Sequence, residues 1–172
     1  IPSKNILILV KSLKLLNKTK KVKLTIVGSG PEKQNILNEI KSLSESHSVE
    51  LIEEIPRKVL LQKLQDSDIY LFPSLREGGS WALMEAMAVG LPVICLNWSG
   101  MQIITDTESA IQLPVTNPEQ MVIDVSEAIN KLITDSDLRN NMGNAGRERI
   151  KNFFNWDVKG EFMEKLMNDL EN

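Results

Sequence analysis

The chain has 172 residues, which is enough for one domain with a sizeable core and short for two. Its 20 Lys and Arg residues face 23 Asp and Glu residues, so the net charge of −3 is small and is spread along the chain. Because no basic block marks a surface for phosphate backbones, the composition argues against a nucleic-acid partner.

The sequence shows neither a membrane span nor an export signal. Its apolar runs stay well below the roughly 20 residues that cross a bilayer, and its start lacks the order of a signal peptide. A single cysteine, Cys95, rules out an internal disulfide and is typical of a residue packed in a buried strand. We therefore expect a cytoplasmic protein. The chain begins at Ile1 without methionine and enters a helical pattern at once, which predicts a piece of a longer protein.

In the first half of the chain, apolar residues three or four apart predict helices, and β-branched runs that end at turn residues predict strands. The predicted helices lie at about 4–17, 36–43 and 59–64, and the predicted strands at 22–27, 49–52 and 69–72. The second half begins with a helix at 81–89 that turns Leu83, Met84, Met87 and Ala88 inward, followed by a strand at 93–96. Short strands are expected at 103–104 and 110–113, and helices at 118–133, 136–150 and 156–170.

Short apolar strands that alternate with amphipathic helices imply crossover connections between parallel strands. The predicted fold class is therefore α/β, with a doubly wound, Rossmann-like parallel sheet covered by helices on both faces. Ligands of such sheets bind at the carboxyl ends of the strands, so the loops at 28–31, 52–56, 73–80 and 97–102 are the candidate sites.

The first of these loops, Gly28-Ser-Gly-Pro31, is open to two interpretations. It places two glycines after a strand, but Lys33 stands where a dinucleotide fingerprint has its third glycine. The alternative is a tight turn that leads to Pro31 at the first position of a helix.

The loop at 73–80 carries the strongest chemistry. Gly78 and Gly79 would let an anion approach the free N–H groups at the start of the following helix without a β-carbon in the way. Glu77 precedes this helix and Glu85 lies within it, so the two carboxylates could accept hydrogen bonds from the hydroxyls of a sugar or ribose. From the spacing alone, the alternative is slightly favoured, in which Glu77 is a solvated loop acid and Glu85 a surface helix residue.

Histidine and cysteine chemistry finds no support in the sequence. The only histidine, His47, lies in the polar segment Ser44–Ser48, where we expect it to be exposed to solvent. Since Cys95 is expected to be buried, neither a zinc site nor a nucleophile paired with histidine has the residues it needs. We expect no metal and no cofactor.

The segment LFPSLREGGSWALMEAMAVGLPVI at 71–94 resembles the signature of the large retaining glycosyltransferase family with the GT-B fold. This family includes sucrose synthases and many bacterial mannosyl- and glucosyltransferases. The shared pattern consists of proline and serine, two glutamates eight residues apart, alanine-methionine-alanine, and a final glycine, proline and valine. The resemblance extends over nearly the whole chain, with further matches at Pro2–Asn5, Val27–Pro31, Asp137–Arg139, Gly143, Arg147 and Phe154–Trp156.

The resemblance implies a nucleotide-sugar donor domain, the C-terminal half of a GT-B fold, which works without a metal. Lys4 inherits a contact to the donor diphosphate, and Glu85 should hold the ribose hydroxyls. Glu77 should face the donor sugar as the catalytic carboxylate. The amides of Gly78, Gly79, Ser80 and Trp81 should lie near the sugar and diphosphate, and Glu53 and Ile55 near the base.

The chain departs from the family pattern at two places. After the first glutamate, Gly79 and Ser80 replace the usual bulky residue and glycine. After the fourth strand, Ile103 stands near the place of an acidic residue. The first departure affects the contacts to the sugar, and the second removes any inference from the family's acidic residue.

The resemblance also predicts that residues 1–172 lack the first strand of the donor domain, with its diphosphate-binding arginine, and the preceding acceptor domain. The parent enzyme would transfer a UDP- or GDP-linked sugar to a glycan or lipid-linked acceptor. Docking on the inner face of the membrane through the missing domain is an open alternative to a fully cytoplasmic position. The chain alone should then be inactive. Two alternatives stay open, namely a sugar-nucleotide epimerase on the same scaffold and a non-catalytic interaction subunit.

Overall fold

The computed structural model describes residues 4–170, in which helices and strands alternate along the chain. The strands are β1 (Val22–Val27), β2 (His47–Ile52), β3 (Tyr70–Phe72), β4 (Val93–Leu96) and β5 (Ala110–Leu113). The helices are α1 (Ile6–Leu13), α2 (Lys33–Ile40), α3 (Arg57–Gln65), α4 (Trp81–Val89), α5 (Met101–Ile104), α6 (Pro118–Thr134), α7 (Ser136–Phe153) and α8 (Trp156–Leu170). The α/β fold class predicted from the sequence is confirmed.

All strand pairs in the described residues are parallel, but the strands form two separate groups. β1 pairs with β2, with Val22 opposite His47 and Val27 opposite Ile52. The second group has the order β3-β4-β5 and is joined in register from Val93 opposite Ala110 to Leu96 opposite Leu113. Between residues 4 and 170, β1 and β3 therefore have one strand neighbour each.

Helices pack on both sides of these strands. Contacts of α1 with α2 and α6 form one layer, and contacts of α4 with α3 and α7 form the other. β4 lies between the two layers with all four residues buried, as expected for a strand covered on both faces. Apolar side chains of α1, β1, β4 and α6 form the largest core cluster.

Helix α4 is held by caps at both ends. The Ser80 hydroxyl accepts a hydrogen bond from the Leu83 N–H, and Gly90 ends the helix with a φ of 94°, which only glycine adopts readily. Leu83, Ala86 and Met87 are buried. The expectation that Ala88 also points inward was wrong, because it lies on the exposed side of the helix.

Three expectations about local structure are corrected. Residues 103–104 end the short helix α5 and do not form a strand, since Ile103 N–H and Ile104 N–H both bond back to the Gly100 carbonyl. Pro31 lies in a turn ahead of α2, which begins at Lys33. His47 is the first residue of β2 and is buried, because pairing with β1 draws it into the sheet.

The last helix, α8, buries none of its residues. Its apolar side chains Phe162, Leu166 and Leu170 are exposed. Within residues 4–170, no helix is both long enough and apolar enough to span a membrane.

Candidate functional site

A long groove of about 1200 Å³ runs between β1 and β3 and opens at the carboxyl ends of these strands. At this open end it is lined by Lys4, the turn 28–33, Pro73, Ser74 and Glu85. The structure thus brings together residues from three of the regions that the sequence singled out. The turn at 28–31 borders the groove, and the open end is the natural ligand position of a parallel sheet.

Glu77 is the centre of one cluster at this end. Its carboxylate accepts hydrogen bonds from the Lys4 ammonium and from the Ser74 hydroxyl, the latter at 3.1 Å. The Glu77 side chain is only 15% exposed, whereas Lys4 remains largely accessible. Lys4 thus lies beside Glu77 in the lining of the groove, and its contact with a diphosphate stays a prediction. Pro2 and Ser3 of the same predicted loop lie outside the described residues.

The loop of Glu77 is tied down from the next strand. The Glu77 carbonyl accepts bonds from the Ser99 hydroxyl at 2.7 Å and the Gly100 N–H at 3.0 Å. A β-carbon on Gly100 would come within 2.2 Å of the Gly78 carbonyl oxygen, so the two loops touch through their backbones. This contact fixes the position of the glycine pair that follows Glu77.

Glu85 lies one and a half turns into α4 and faces the groove. Its carboxylate forms an ion pair at 2.6 Å with the guanidinium of Arg57, the first residue of α3. Glu85 is 18% exposed and Arg57 is mostly in solvent. A partly buried carboxylate at the mouth is suited to accept hydrogen bonds from ligand hydroxyls.

Tyr70 is a largely buried phenol that senses the charges of both glutamates. Burial, followed by the negative charges of Glu85 and Glu77, raises the pKa of Tyr70 to about 12. The phenol at the start of β3 therefore lies within electrostatic reach of both carboxylates. The sequence analysis missed Tyr70 and Arg57, because their proximity to the glutamates arises from tertiary packing. In the sequence, Tyr70 is marked only by its position in the predicted strand 69–72, which leads into the loop at 73–80.

Gly78 and Gly79 border open space. A β-carbon on either would meet no atom within 4 Å, so neither glycine is required by packing in the described chain. They precede the first N–H groups of α4, at Trp81 and Ala82, which lie ahead of the first helical hydrogen bond. This arrangement leaves room for an anion at the helix start. Ser80 supplies the cap, and Trp81 is exposed with its ring 6.2 Å from that of Trp156.

The predicted base-binding residues lie beside the groove and not within its lining. Glu53 forms an ion pair with Lys33, and this hydrogen bond lowers the pKa of Glu53. Lys33 lines the groove, whereas neither Glu53 nor Ile55 does. The structure thus places Glu53 beside Lys33, whereas Ile55 lies two residues before Arg57, the ion-pair partner of Glu85.

The other titratable candidates are structural. Burial raises the pKa of the Cys95 thiol to about 11 despite a hydrogen bond with Thr105, so this cysteine is a packed core residue, as expected. His47 is buried at the amino end of β2, which is opposite the end of the sheet that carries the site. Within residues 4–170, no three His, Cys, Asp or Glu side chains form a group that could hold a metal ion.

The site can thus accept hydroxyl donors through two carboxylates and receive an anion through Lys4, Arg57 and a helix start.

The relatives of the chain show the same fold. Sucrose-phosphate synthase from Thermosynechococcus elongatus superposes with a TM-score of 0.78 at 24% identity, over 99% of this chain and 43% of that one. A complex of Staphylococcus aureus TarM with Fondaparinux, alpha-GlcNAc-glycerol and UDP superposes with a TM-score of 0.77 at 22% identity, over 98% and 33%.

The curated relatives are considerably longer than this chain. The capsular polysaccharide biosynthesis glycosyltransferase CapM of Staphylococcus aureus is 29% identical over 182 residues, which cover 98% of this chain and 43% of that protein. The chain spans less than half the length of the curated relatives it matches. It corresponds to a C-terminal half of GT-B glycosyltransferases.

The family described as glycosyl transferases group 1 matches residues 1–149, which include the complete Glu77 and Glu85 cluster. This match covers most of the 172 residues. The chain therefore belongs to the glycosyl transferases group 1 family.

Proposed function

We propose that the chain is the donor-binding domain of a retaining glycosyltransferase and that the open end of the groove holds a nucleotide sugar. One observation carries this proposal. Glu77 and Glu85 are partly buried carboxylates at the same end of the groove, and each has an exposed cation as its partner, Lys4 and Arg57 respectively. A diphosphate would compete for these cations and release the carboxylates for hydroxyl groups.

Each residue then has a defined role. Glu85 accepts hydrogen bonds from the ribose hydroxyls, while Glu77 faces the donor sugar. The amides from Gly78 to Trp81 stabilise the diphosphate at the start of α4, where charge develops as the sugar departs. Glu53 and Ile55 border the base on the outer side of the turn 28–31.

Leaving-group stabilisation needs no metal in this scheme. The Lys4 ammonium and the helix amides supply positive potential at the position of the diphosphate. The sugar keeps its stereochemistry on transfer, and the whole protein places it on a glycan or lipid-linked acceptor held by a further domain. That protein works in the cytoplasm, at the inner face of the membrane. The UDP in the TarM complex makes UDP the first donor nucleotide to test.

Isothermal titration calorimetry with UDP and GDP tests the donor site. We expect one nucleotide to bind, and Glu85→Ala to weaken its binding by about tenfold to a hundredfold, since a lost hydrogen bond to a charged group contributes roughly 1.5–3 kcal/mol. The exposed Glu127 on α6 provides the control, so Glu127→Gln should bind like the parent. Equal affinity of the Glu85→Ala protein would remove the ribose assignment.

Transfer assays separate the domain from the whole enzyme. Because the acceptor side is absent from a donor domain, residues 1–172 should bind nucleotide without transferring sugar. Sugar transfer by the purified 172-residue chain would contradict this division of labour. Product analysis with the longer protein distinguishes transfer from epimerisation, and a complete lack of nucleotide binding there would favour an interaction subunit.

A further inference from the structure

The loop that follows β4 contains a backbone conformation that residues with a side chain rarely adopt. Ser99 has a φ of 56°, in the left-handed region, where the β-carbon crowds the backbone. Within residues 4–170, the other non-glycine residue with a positive φ is Asn5, at 53°. Asn5 directly follows Lys4, the cation on Glu77, and Ser99 bonds to the Glu77 backbone. Both unusual conformations thus border one residue, and backbone strain of this kind clusters at functional sites.

Hydrogen bonds of the loop hold Ser99 in this conformation. Its hydroxyl donates to the Glu77 carbonyl at 2.7 Å, and its own carbonyl accepts from the Gln102 N–H at 3.3 Å. The Gln102 side chain also donates to the Asn97 carbonyl at 3.2 Å. A glycine at position 99 would adopt the positive φ freely but would lack the hydroxyl. The bond to Glu77 therefore depends on a serine in an unfavourable backbone conformation.

The Glu77 carbonyl determines the direction of the next N–H group. It accepts bonds from the Ser99 hydroxyl at 2.7 Å and from the Gly100 N–H at 3.0 Å. Because the C=O and N–H of a trans peptide point in opposite directions, the Gly78 N–H points away from the loop after β4. β3 lies between β4 and the groove, and Lys4 in the groove lining reaches the Glu77 side chain. The Gly78 N–H is therefore directed to the side of the groove.

Side-chain packing does little to hold this peptide in place. Neither Gly78 nor Gly79 has an atom within 4 Å of the position that a β-carbon would take. In the part of the chain that the structure describes, no backbone carbonyl accepts a hydrogen bond from the Gly78 N–H. An N–H group with room in front of it and a fixed direction can stabilise an anion without reorganisation.

We propose that Ser99 is a positioning residue of the donor site, which fixes the Glu77–Gly78 peptide so that the Gly78 N–H meets the diphosphate of the nucleotide. This inference rests on the proposed function, because it needs a diphosphate at the open end of the groove. Ser99 itself does not contact the ligand. Its hydroxyl acts through the Glu77 carbonyl, and the bonds of its own loop keep the hydroxyl at this carbonyl.

Two substitutions of Ser99 separate the hydroxyl from the backbone strain. Ser99→Ala removes the hydroxyl and keeps a β-carbon at positive φ, whereas Ser99→Gly removes both. Isothermal titration calorimetry with UDP measures binding, and thermal unfolding without nucleotide measures stability. Ser42→Ala is the matched control, because the Ser42 hydroxyl also donates to a carbonyl, that of Glu39 at 2.6 Å, but does not line the groove.

Both Ser99 variants should bind UDP about three- to tenfold more weakly than the parent, which is the factor that one hydrogen bond contributes. Ser99→Gly should nevertheless unfold about 2–4 °C above Ser99→Ala, because glycine adopts a positive φ without strain. Ser42→Ala should bind UDP like the parent. Affinity would then follow the hydroxyl while stability follows the backbone conformation. A merely structural role of Ser99 would make the affinity follow the stability instead.

The amide signal of Gly78 in NMR spectra provides a second readout. Saturating UDP should move this proton downfield in the parent, as expected for a donor to a charged oxygen, and less in both Ser99 variants. Unchanged UDP affinity in the variants, or an equal Gly78 shift in variants and parent, would overturn the role of Ser99 and retain the donor site. A parent chain that binds neither UDP nor GDP would reject the proposed function and this inference together.

Discussion

Polar side chains of this domain differ in how their hydrogen-bonding groups are satisfied. Glu77 and Glu85 are each matched by a cation, and Asp106 accepts hydrogen bonds from the Ser109 side chain and backbone as well as from Arg149. His47 differs, because both ring nitrogens are buried without a hydrogen-bond partner in the described chain, as is the amide nitrogen of Asn5. Replacing a paired carboxylate should therefore destabilise the protein, whereas replacing His47 by an apolar residue of similar size should stabilise it.

Replacing His47 by leucine should stabilise the protein. The change removes two unsatisfied buried nitrogens and keeps most of the side-chain volume, so the free energy of unfolding should rise by about 1–2 kcal/mol. Urea denaturation followed by circular dichroism measures this change. His47→Ala is the control, because it removes the same nitrogens but leaves a cavity and should therefore destabilise. A less stable His47→Leu protein would show that the imidazole is hydrogen-bonded in solution.

Asp106 should make the free energy of unfolding decrease as the pH falls into the acid range. Partial burial alone would raise its pKa, but hydrogen bonds from Ser109 and the charge of Arg149 hold the pKa of Asp106 below its ordinary value of 3.8. A carboxylate with a lowered pKa stabilises the fold above its unfolded pKa, and this contribution is lost as the pH falls through the folded value. Asp106→Asn should thus destabilise the protein at pH 7, with a difference from the parent that shrinks below about pH 4.

Denaturation at several pH values checks this expectation. Asp169→Asn, which alters an exposed carboxylate on α8, should follow the parent throughout. A constant difference between Asp106→Asn and the parent from pH 7 to pH 3 would contradict the role of the charge.

At the scale of elements, close backbone contacts set the positions of α4 and α7. A β-carbon on Gly143 in α7 would lie 2.1 Å from the Gly90 carbonyl oxygen, at the end of α4. Gly146, one turn later in the same helix, has room for a β-carbon, whose nearest neighbours would lie at 3.7 Å. The two glycines therefore form a matched pair within one helix.

Gly143→Ala should destabilise the protein by roughly 2–4 kcal/mol, because α7 must move away from α4. Gly146→Ala should be neutral or stabilising by up to about 1 kcal/mol, since alanine favours the helix. Thermal and urea unfolding of both variants provide the measurement. Equal effects of the two substitutions would mean that α7 can move away from α4 at little cost in free energy.

The elements also show what the sequence can predict. Helix α4 and strands β1 and β4 have the predicted bounds, because apolar periodicity and the flanking glycines and prolines act locally. Residues 103–104 were misassigned since two isoleucines alone favour a strand, whereas the bonds to the Gly100 carbonyl form helix α5. The glutamates were predictable from their motif, but the pairing of Glu85 with Arg57 depends on how α3 packs against α4.

At the scale of the whole molecule, most of the core is complete without α8. Residues of α1, β1, β4 and α6 form the main cluster, and α8 buries no residue of its own. The apolar side of α8 is instead open to solvent, with Phe162, Leu166 and Leu170 exposed. The helix is thus an appendage to the packed domain.

A protein that ends at Asn155 should accordingly keep its fold. Because exposed segments contribute little to stability, we expect the free energy of unfolding to fall by about 1 kcal/mol or less. Comparison of urea denaturation curves for residues 1–155 and 1–172 tests this expectation. A loss of cooperative unfolding after truncation would show that α8 is packed against the domain in solution.

The positions of the three tryptophans determine what the intrinsic fluorescence of this protein can report. Trp81, Trp98 and Trp156 are all the tryptophans of the chain, and each is more than half exposed in the folded state. Their emission should change little on unfolding and is a poor gauge of the core. Trp81, however, follows the glycine pair directly, so a protein with Trp98→Phe and Trp156→Phe would carry one fluorophore at the mouth of the groove. Its quenching would then record the arrival of a nucleotide in real time.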